Sequence, residues 1–342
     1  MEAQVLKDIP LLTKDDFKSD QMVKWCPGCG DHAILSSVEK VFPQLGIRKE
    51  DFAVISGIGC SSRFPYYMNT YGIHGIHGRA AAIASGVKIA NPNLSVWVIT
   101  GDGDSMAIGG NHFIHVVRRN IDLNILLFNN RIYGLTKGQY SPTSPKGIIT
   151  KTSPDGTFEN PFNPGELVIG AQGTFFARTI DNNPKMMVNV MLEAAKHKGT
   201  SVVEILQNCV IFNNNTHELV SSRETKDDNQ ILLEHGKPMI FGKNKDKGII
   251  CSGLKLEVVK IGENGITEED IIVHDQYSED PGLHAMLARM TPPYLPMAMG
   301  VIRAVKHETY NDALDELIEY KKETSPYKTV DDLLTSGNTW EV

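Results

Sequence analysis

Two short apolar runs, each ending in a distinctive turn, constrain this chain more than anything else in it. Val96–Thr100 runs into Gly101-Asp102-Gly103-Asp104, and Leu123–Phe128 runs into Asn129-Asn130, with 25 residues between Gly103 and Asn129. Both runs have strand length and β-branched content, while His112, Val116 and Val117 between them recur at helical spacing, so the unit reads strand-turn-helix-strand. In an open parallel sheet, ligands collect where the carboxyl ends of neighbouring strands meet, and both turns fall at such ends. Glycines there let the backbone approach an anion closely. Amides at the start of the following helix bind phosphate oxygens, and Asp102 with Asn130 offers oxygens to a hard cation. Either turn alone serves equally well as a plain connection between strands. Together they predict a magnesium-diphosphate site.

The surrounding sequence repeats the alternation. A helix is expected after the turn Trp25-Cys26-Pro27-Gly28-Cys29-Gly30-Asp31-His32, where Ala33, Ile34, Ser37, Val38 and Val41 have helical spacing. A strand at Phe52–Ile58 ends in Gly59-Cys60-Ser61-Ser62-Arg63, and the small residues of Ala80–Ala90 suit a helix pressed on the sheet. Gly165–Ala171 and Met186–His197 read as helices, Thr174–Ile180 and Ser201–Leu206 as strands, the last ending at Gln207-Asn208-Cys209. Alternation from Phe52 to Cys209 predicts an α/β fold with a doubly wound parallel sheet. Residues 1–21 are expected to form an N-terminal arm, 22–212 the ligand-binding domain, and 213–342 an irregular C-terminal extension. Within that extension Met239–Lys260 reads as short strands and Tyr310–Lys322 as a terminal helix. Tyr140–Pro164 has no sustained period and directly follows the candidate site, so it is expected to be a lid.

With 342 residues, 41% of them hydrophobic, the chain has ample material for a buried core. A net charge of −7 sets aside general nucleic-acid binding, which needs a basic surface. No apolar run reaches membrane-spanning length and the first 20 residues lack a signal-like apolar centre, so a soluble, cytoplasmic protein with no membrane contact is expected. Five cysteines in a chain this long do not make a disulfide framework. Cys26 and Cys29 form C-x-x-C, Cys60 and Cys209 each follow a strand, and the fold would bring all four to the diphosphate edge. Four thiolates there suit structural zinc or an iron–sulfur cluster; two ligands standing alone on separate strands favour the cluster. Cys251 has no partners and is expected as a buried apolar residue.

The GDG and NN turns at this spacing resemble the thiamin diphosphate signature. With the cysteines included, the stretches WCPGCGDHAIL, GIGCSSRFP, HGIHGRAAAIASGVKIANP, GDGDSMAIGGNH and NNRIYGLTKGQYSPTS make the chain similar to the β subunits of 2-oxoacid:ferredoxin oxidoreductases, over roughly Trp25–Phe212. The resemblance implies the diphosphate-binding domain of the thiamin diphosphate fold. It implies that Asp102, Asn130 and the backbone carbonyl of Ile132 bind Mg2+, that Gly101, Gly103, Asp104, Gly134, Leu135 and His77 contact thiamin diphosphate, and that Cys26, Cys29, Cys60 and Cys209 hold one [4Fe-4S] cluster. The implied reaction is oxidative decarboxylation of a 2-oxoacid to an acyl-CoA and CO2, with electrons passing through the cluster to ferredoxin. GLTKGQYSPTS and the arginine after CSS resemble the 2-oxoglutarate branch, giving succinyl-CoA; pyruvate and branched-chain 2-oxoacids are the alternatives.

Arg63 is expected to grip a substrate carboxylate, since a guanidinium can hold both oxygens; a plain surface arginine is the rival reading. His77 and Arg79 open a helix beside the site, where His77 is expected to contact diphosphate or act on the reacting centre. Leu135 is expected to support the coenzyme or shape the acyl pocket, with a plain core leucine as the rival reading, and Lys137 to touch substrate or merely face water. His112 and His115 belong to a helix face. The sequence has no second α/β array to serve as the pyrimidine-binding domain with its activating glutamate, so an α subunit is expected to bring both, along with contacts to coenzyme A. A non-oxidative thiamin decarboxylase would keep the diphosphate site without using the cysteines, and a zinc-stabilised non-catalytic module would use the cysteines without thiamin.

Overall fold

The computed structural model describes residues 11–340, so the first ten residues of the expected arm 1–21 lie outside it. Helix α1 (Asp31–Val41) turns Ile34, Leu35, Val38 and Val41 inward at helical spacing. There follow β1 (Phe52–Ser56), β2 (Tyr71–His74), α2 (Ala80–Ala90), β3 (Ser95–Gly101), α3 (Asp102–Met106), α4 (Gly110–Arg119) and β4 (Asn124–Asn129). Next come α5 (Pro164–Gly170), β5 (Phe175–Ile180), α6 (Pro184–Lys196) and β6 (Ser201–Leu206). The last third holds β7 (Gln230–Leu233), β8 (Ile240–Phe241), β9 (Lys247–Ser252), β10 (Lys255–Lys260), α7 (Gly282–Arg289), β11 (Met297–Ala304) and α8 (Tyr310–Thr324).

Eight strands form one sheet in the order β2-β1-β3-β4-β6-β5-β11-β7. Neighbours from β2 through β5 are parallel, as the alternation predicted. Side chains alternate across the sheet. Ala53, Ile55, Val96, Val98 and Ile125 join a core with α2, α4, α5 and α7. Phe52, Val54, Trp97, Ile99, Leu126 and Phe128 join a second core with α1 and α6. The register pairs Ser56 with Ile99, Gly101 with Phe128, and Asn129 with Leu206. Consequently the carboxyl ends of β1, β3, β4 and β6 stand side by side at one edge.

The compositional boundary at 212/213 does not divide the sheet. Strands β7 and β11 come from beyond it, and β11 is buried along its whole length, antiparallel to β5 and parallel to β7. Its sequence, MAMGVIRA, hides the strand: Gly300 has φ 93° and Arg303 is charged. Arg303 is tolerated because it donates to the carbonyls of Gly173, Ser278 and Glu279. The short strands expected in Met239–Lys260 are β8–β10, a separate antiparallel sheet. The expected terminal helix is α8, whose N-cap Thr309 accepts from the Asp312 amide. Cys251 is exposed, contrary to expectation: it lies near the end of β9, where the β9–β10 hairpin leaves the core, and its thiol donates to the Gly253 carbonyl. No helix among the described residues is long and apolar enough to cross a membrane.

Candidate active site

Two adjoining cavities occupy the edge where β1, β3, β4 and β6 end. The smaller, about 70 Å³, is lined by His77, Gly101, Asp102, Gly103, Asp104, Asn130 and Ile132. The larger, about 210 Å³, is lined by Cys26, Cys29, Cys60 and Cys209 together with Arg63 and Lys137. Asp31, Cys60, Asn130, Gly134 and Leu135 line both. The edge therefore carries oxygen ligands on one side of a common wall and sulfur ligands on the other.

Asp102 starts α3 directly after β3 and is buried. Burial pushes its carboxyl above the usual carboxylate range, and the Ser141 and Thr143 hydroxyls, donating to its Oδ2, draw it back. Asn130 Oδ1 accepts from the Ile132 amide at 3.1 Å. The Ile132 carbonyl accepts no hydrogen bond from the described residues, although Ile132 is only 3% exposed. Buried carbonyls are seldom left without a donor. A carboxylate, an amide oxygen and an unclaimed carbonyl on one edge fit a hard divalent cation. Gly103 has to be glycine because a β-carbon would stand 2.2 Å from the Tyr133 ring, whose hydroxyl donates to the Gly103 carbonyl at 3.1 Å.

Asp104 lines the same cavity with its oxygens already engaged. Its Oδ1 accepts from the Ile58 amide at 3.0 Å and the Gly78 amide at 2.7 Å, and its Oδ2 from the Thr100 hydroxyl at 2.8 Å. It thereby ties the loops after β1 and before α2 to α3. His77 stands at the cavity mouth, its side chain 38% exposed and Nε2 3.9 Å from Asp104 Oδ1. The stretch expected as a lid has two parts. Ser141, Thr143 and Ser144 are buried, Thr143 Oγ1 also lying 2.9 Å from Asn129 Oδ1, and Ser144 donating to the Arg131 carbonyl at 2.6 Å. The part beyond carries the exposed Ile149 and Phe158.

On the thiol side, the C-x-x-C turn is closed by the Cys29 amide donating to the Cys26 carbonyl at 3.1 Å. Trp25 donates its indole N–H to the Cys60 carbonyl at 2.7 Å, and the Gly30 amide donates to the Asn208 carbonyl at 3.3 Å. The turn is thus fastened to both strand tips that carry the isolated cysteines. A β-carbon on Gly134 would lie 3.5 Å from Cys60 Sγ and 3.6 Å from Cys209 Sγ, inside the space those thiols face. Burial pushes the Cys29 thiol well above its usual range and that of Cys60 up to about 12, with Asp31 and the neighbouring cysteines adding to both. Such thiols give up their protons only to a strongly cationic partner. No three His, Cys, Asp or Glu side chains among the described residues gather as they would around a single metal ion; the four cysteines instead ring a cavity.

All the expected site residues thus meet at one edge, joined by several that sequence reasoning missed. Asp31 lies on the common wall, where burial raises its carboxyl to about 7. Lys24 lines the thiol cavity beside Arg63 and Lys137. Gln207 donates to Cys29 Sγ at 3.3 Å. From beyond residue 212, His217 donates to the Asn129 carbonyl at 2.9 Å and Asn213 to the carbonyls of Asn130 and Arg131. Asp31 follows the C-x-x-C turn and opens a helix, a signal that was available; His217 and Asn213 had none.

Residues 57–205 match the family described as thiamine pyrophosphate enzyme, C-terminal TPP binding domain. The chain is 48% identical over 330 residues to the 2-oxoglutarate oxidoreductase subunit KorB of Mycobacterium tuberculosis, covering 96% of this chain and 88% of that one. It is 45% identical over 199 residues to subunit beta of 2-oxoacid:ferredoxin oxidoreductase 2 of Aeropyrum pernix, covering 58% of this chain and 64% of that one. Among solved structures it is similar to a 2-oxoglutarate:ferredoxin oxidoreductase from Magnetococcus marinus with 2-oxoglutarate, coenzyme A and succinyl-CoA bound. The TM-score is 0.77 at 31% identity, covering 97% of this chain and 98% of that one.

Proposed function

The chain belongs to the β subunits of the 2-oxoacid:ferredoxin oxidoreductases, and from that premise we propose that it is the coenzyme-anchoring, electron-exporting half of a 2-oxoglutarate:ferredoxin oxidoreductase. The reaction is 2-oxoglutarate, coenzyme A and oxidised ferredoxin to succinyl-CoA, CO2 and reduced ferredoxin. One observation carries the reading: the oxygen-lined and sulfur-lined cavities share a wall, so a coenzyme and a redox centre held there would be neighbours.

Thiamin diphosphate supplies an electron sink for loss of CO2, and a [4Fe-4S] cluster supplies a one-electron outlet. In this reading Asp102, Asn130 and the Ile132 carbonyl hold Mg2+, Gly101 and Gly103 admit the diphosphate, and Leu135 supports the coenzyme across the common wall. Cys26, Cys29, Cys60 and Cys209 hold the cluster; a single zinc ion with four sulfurs close around it needs no cavity of about 210 Å³. Asp104 positions the diphosphate loops through its three hydrogen bonds. His77, at the mouth, holds a proton toward the diphosphate or the reacting oxygen. Arg63 and Lys137 bind substrate carboxylates, and two cations on one cavity, with Lys24 beside them, suit a dicarboxylate better than pyruvate.

No glutamate lines either cavity among the described residues. Ile76 and Ile108, close to His77 and Gly109, are exposed. These features support an α subunit that covers the edge, brings the activating glutamate and contributes to coenzyme A binding. Residues 213–340 complete the sheet and brace the cofactor loops, and their outer face meets further subunits. The working location is the cytoplasm, with ferredoxin as the electron acceptor.

The test is anaerobic copurification with the α subunit, measurement of iron, sulfide and thiamin, and coenzyme A-dependent viologen reduction with three substrates. Brown protein with absorbance near roughly 400 nm, as expected for cysteine-ligated clusters, and clear preference for 2-oxoglutarate over pyruvate and branched-chain 2-oxoacids are expected. Zinc without iron would sink the redox reading, and equal rates on all three acids would sink the substrate assignment.

A further inference from the structure

A third cavity, about 400 Å³, lies behind the cofactor edge, under the 141–163 loop and between α5, the end of α7 and strands β4, β6, β5 and β11. Three arginines line it, and two are matched. Arg178 donates to Glu204 Oε2 at 2.7 Å and to the carbonyls of Ala298 and Ala288, while Arg289 donates to Glu166 at 2.6 Å. The remaining Glu204 oxygen accepts from the Asn129 amide at 2.7 Å. Arg131 alone has neither an ion pair nor a hydrogen bond for its guanidinium among the described residues.

Its backbone explains where it faces. Arg131 has φ 56°, a left-handed conformation unusual for a side chain of this size, between Asn130 and Ile132. The chain reverses there, so Asn130 and Ile132 line the small cofactor cavity while Arg131 lines this one. Burial works against the Arg131 charge, and Glu204 is its largest electrostatic support. The apolar part of the lining comes from Leu206, Phe162, Met290 and Met297. A concave space of this size, with an apolar part and an unmatched cation among otherwise paired polar groups, can take a small molecule that carries both an anionic head and an apolar body.

We propose that this cavity binds an organic oxyanion, its carboxylate or phosphate held by Arg131 and its apolar body lying against Phe162 and Met290. The site is separate from both cavities of the active site and does not depend on the reaction assigned to them. Because Arg131 joins Asn130 to Ile132, an occupant bears on the cation loop from behind.

The test uses the assembly purified through a tag on this chain, with magnesium and thiamin diphosphate saturating, titrated calorimetrically with phenyl phosphate, benzoate and inorganic phosphate. Phenyl phosphate and benzoate share a body and differ in headgroup, so their ranking separates a phosphate ligand from a carboxylate ligand; inorganic phosphate reports the headgroup alone. At least one organic probe is expected to bind with a Kd of about 1 mM or tighter. Arg131→Met is expected to weaken it about tenfold or more, the usual cost of losing a charged hydrogen-bond donor. Thr291→Trp, which narrows the cavity while leaving Arg131 itself unchanged, is expected to do the same. Failure of every probe to bind, or unchanged affinity in either variant, overturns the proposal. If Arg131→Met does not fold, Thr291→Trp decides alone.

Discussion

The two adjoining cavities of the active site are organised by opposite means. On the oxygen side the protein has already made its hydrogen bonds: Asp104 holds two loops, Ser141 and Thr143 steady Asp102, and Asn130 fixes the Ile132 turn. On the sulfur side little is settled. The Cys29 and Cys60 thiols, pushed above their usual range, keep their protons, and apart from Gln207 donating to Cys29 Sγ the fastening comes from the backbone and from Trp25. The first cavity is preorganised for a ligand, whereas the second is completed by one. Preorganised groups lose little on binding, while a site of protonated thiols loads only against protons, so its loading weakens as pH falls.

Mutations that strike one side only are the sharpest way to break this contrast. Cys209→Ser, at a thiol that lines the sulfur cavity alone, is expected to remove iron, colour and viologen reduction while leaving thiamin diphosphate binding nearly intact, measured by iron assay and calorimetry. Asp102→Asn is the mirror experiment: Mg2+-dependent coenzyme affinity falls by about 100-fold or more, since the charge of a direct ligand is lost rather than an outer partner, yet iron and absorbance remain. If either change empties both cavities, the two are one cooperative unit and the contrast fails.

Thr143→Val probes preorganisation itself. Losing an outer hydrogen bond to a cation ligand is expected to cost roughly 10–100-fold in Mg2+ affinity with the fold unchanged; no change would mean that the hydroxyl does not steady Asp102. Gly134→Ala is milder, because its methyl would meet the Cys60 and Cys209 sulfurs at ordinary contact distance. Iron should stay, with a shifted electron paramagnetic resonance spectrum and a severalfold slower viologen assay.

The smallest effect is on stability with pH. Burial, helped by the charge of Arg131, pushes His217 from 6.5 down to about 3, so it donates to Asn129 as a neutral ring. The unfolded chain takes up a proton below 6.5 that the folded chain refuses. Stability is therefore full above that pH and falls on acidification by about 1 kcal/mol per pH unit from this group. His217→Gln should flatten the acid limb of thermal midpoints between pH 7.5 and 5, and an unaltered limb would exclude His217 as its source.

The sequence was most legible where function follows a strand tip. Asp102, Asn130, Cys60 and Cys209 stand where alternating strands end, and their meeting at one edge followed from the rule that ligands gather there. What stayed hidden depends on partners distant in sequence. Nothing in MAMGVIRA says that β11 inserts antiparallel beside β5, because its burial rests on carbonyls from 173 to 279 that satisfy Arg303. His217 and Asn213 reach the NN turn from what composition marks as an irregular extension. Arg131 stands inside the NN motif with no role legible in the sequence, since its left-handed backbone and the cavity it lines appear only in the fold.

The spacing of the four cysteines also has a consequence for biogenesis. They run from position 26 to position 209, and the last follows the strand that closes the parallel core. A nascent chain on the ribosome displays the first pair long before its counterparts exist, and chains fold in the order they emerge. If the four thiols hold the proposed cluster, delivery of iron and sulfide waits until β6 has docked, and an assembly factor that acts earlier would meet at most three of the four ligands.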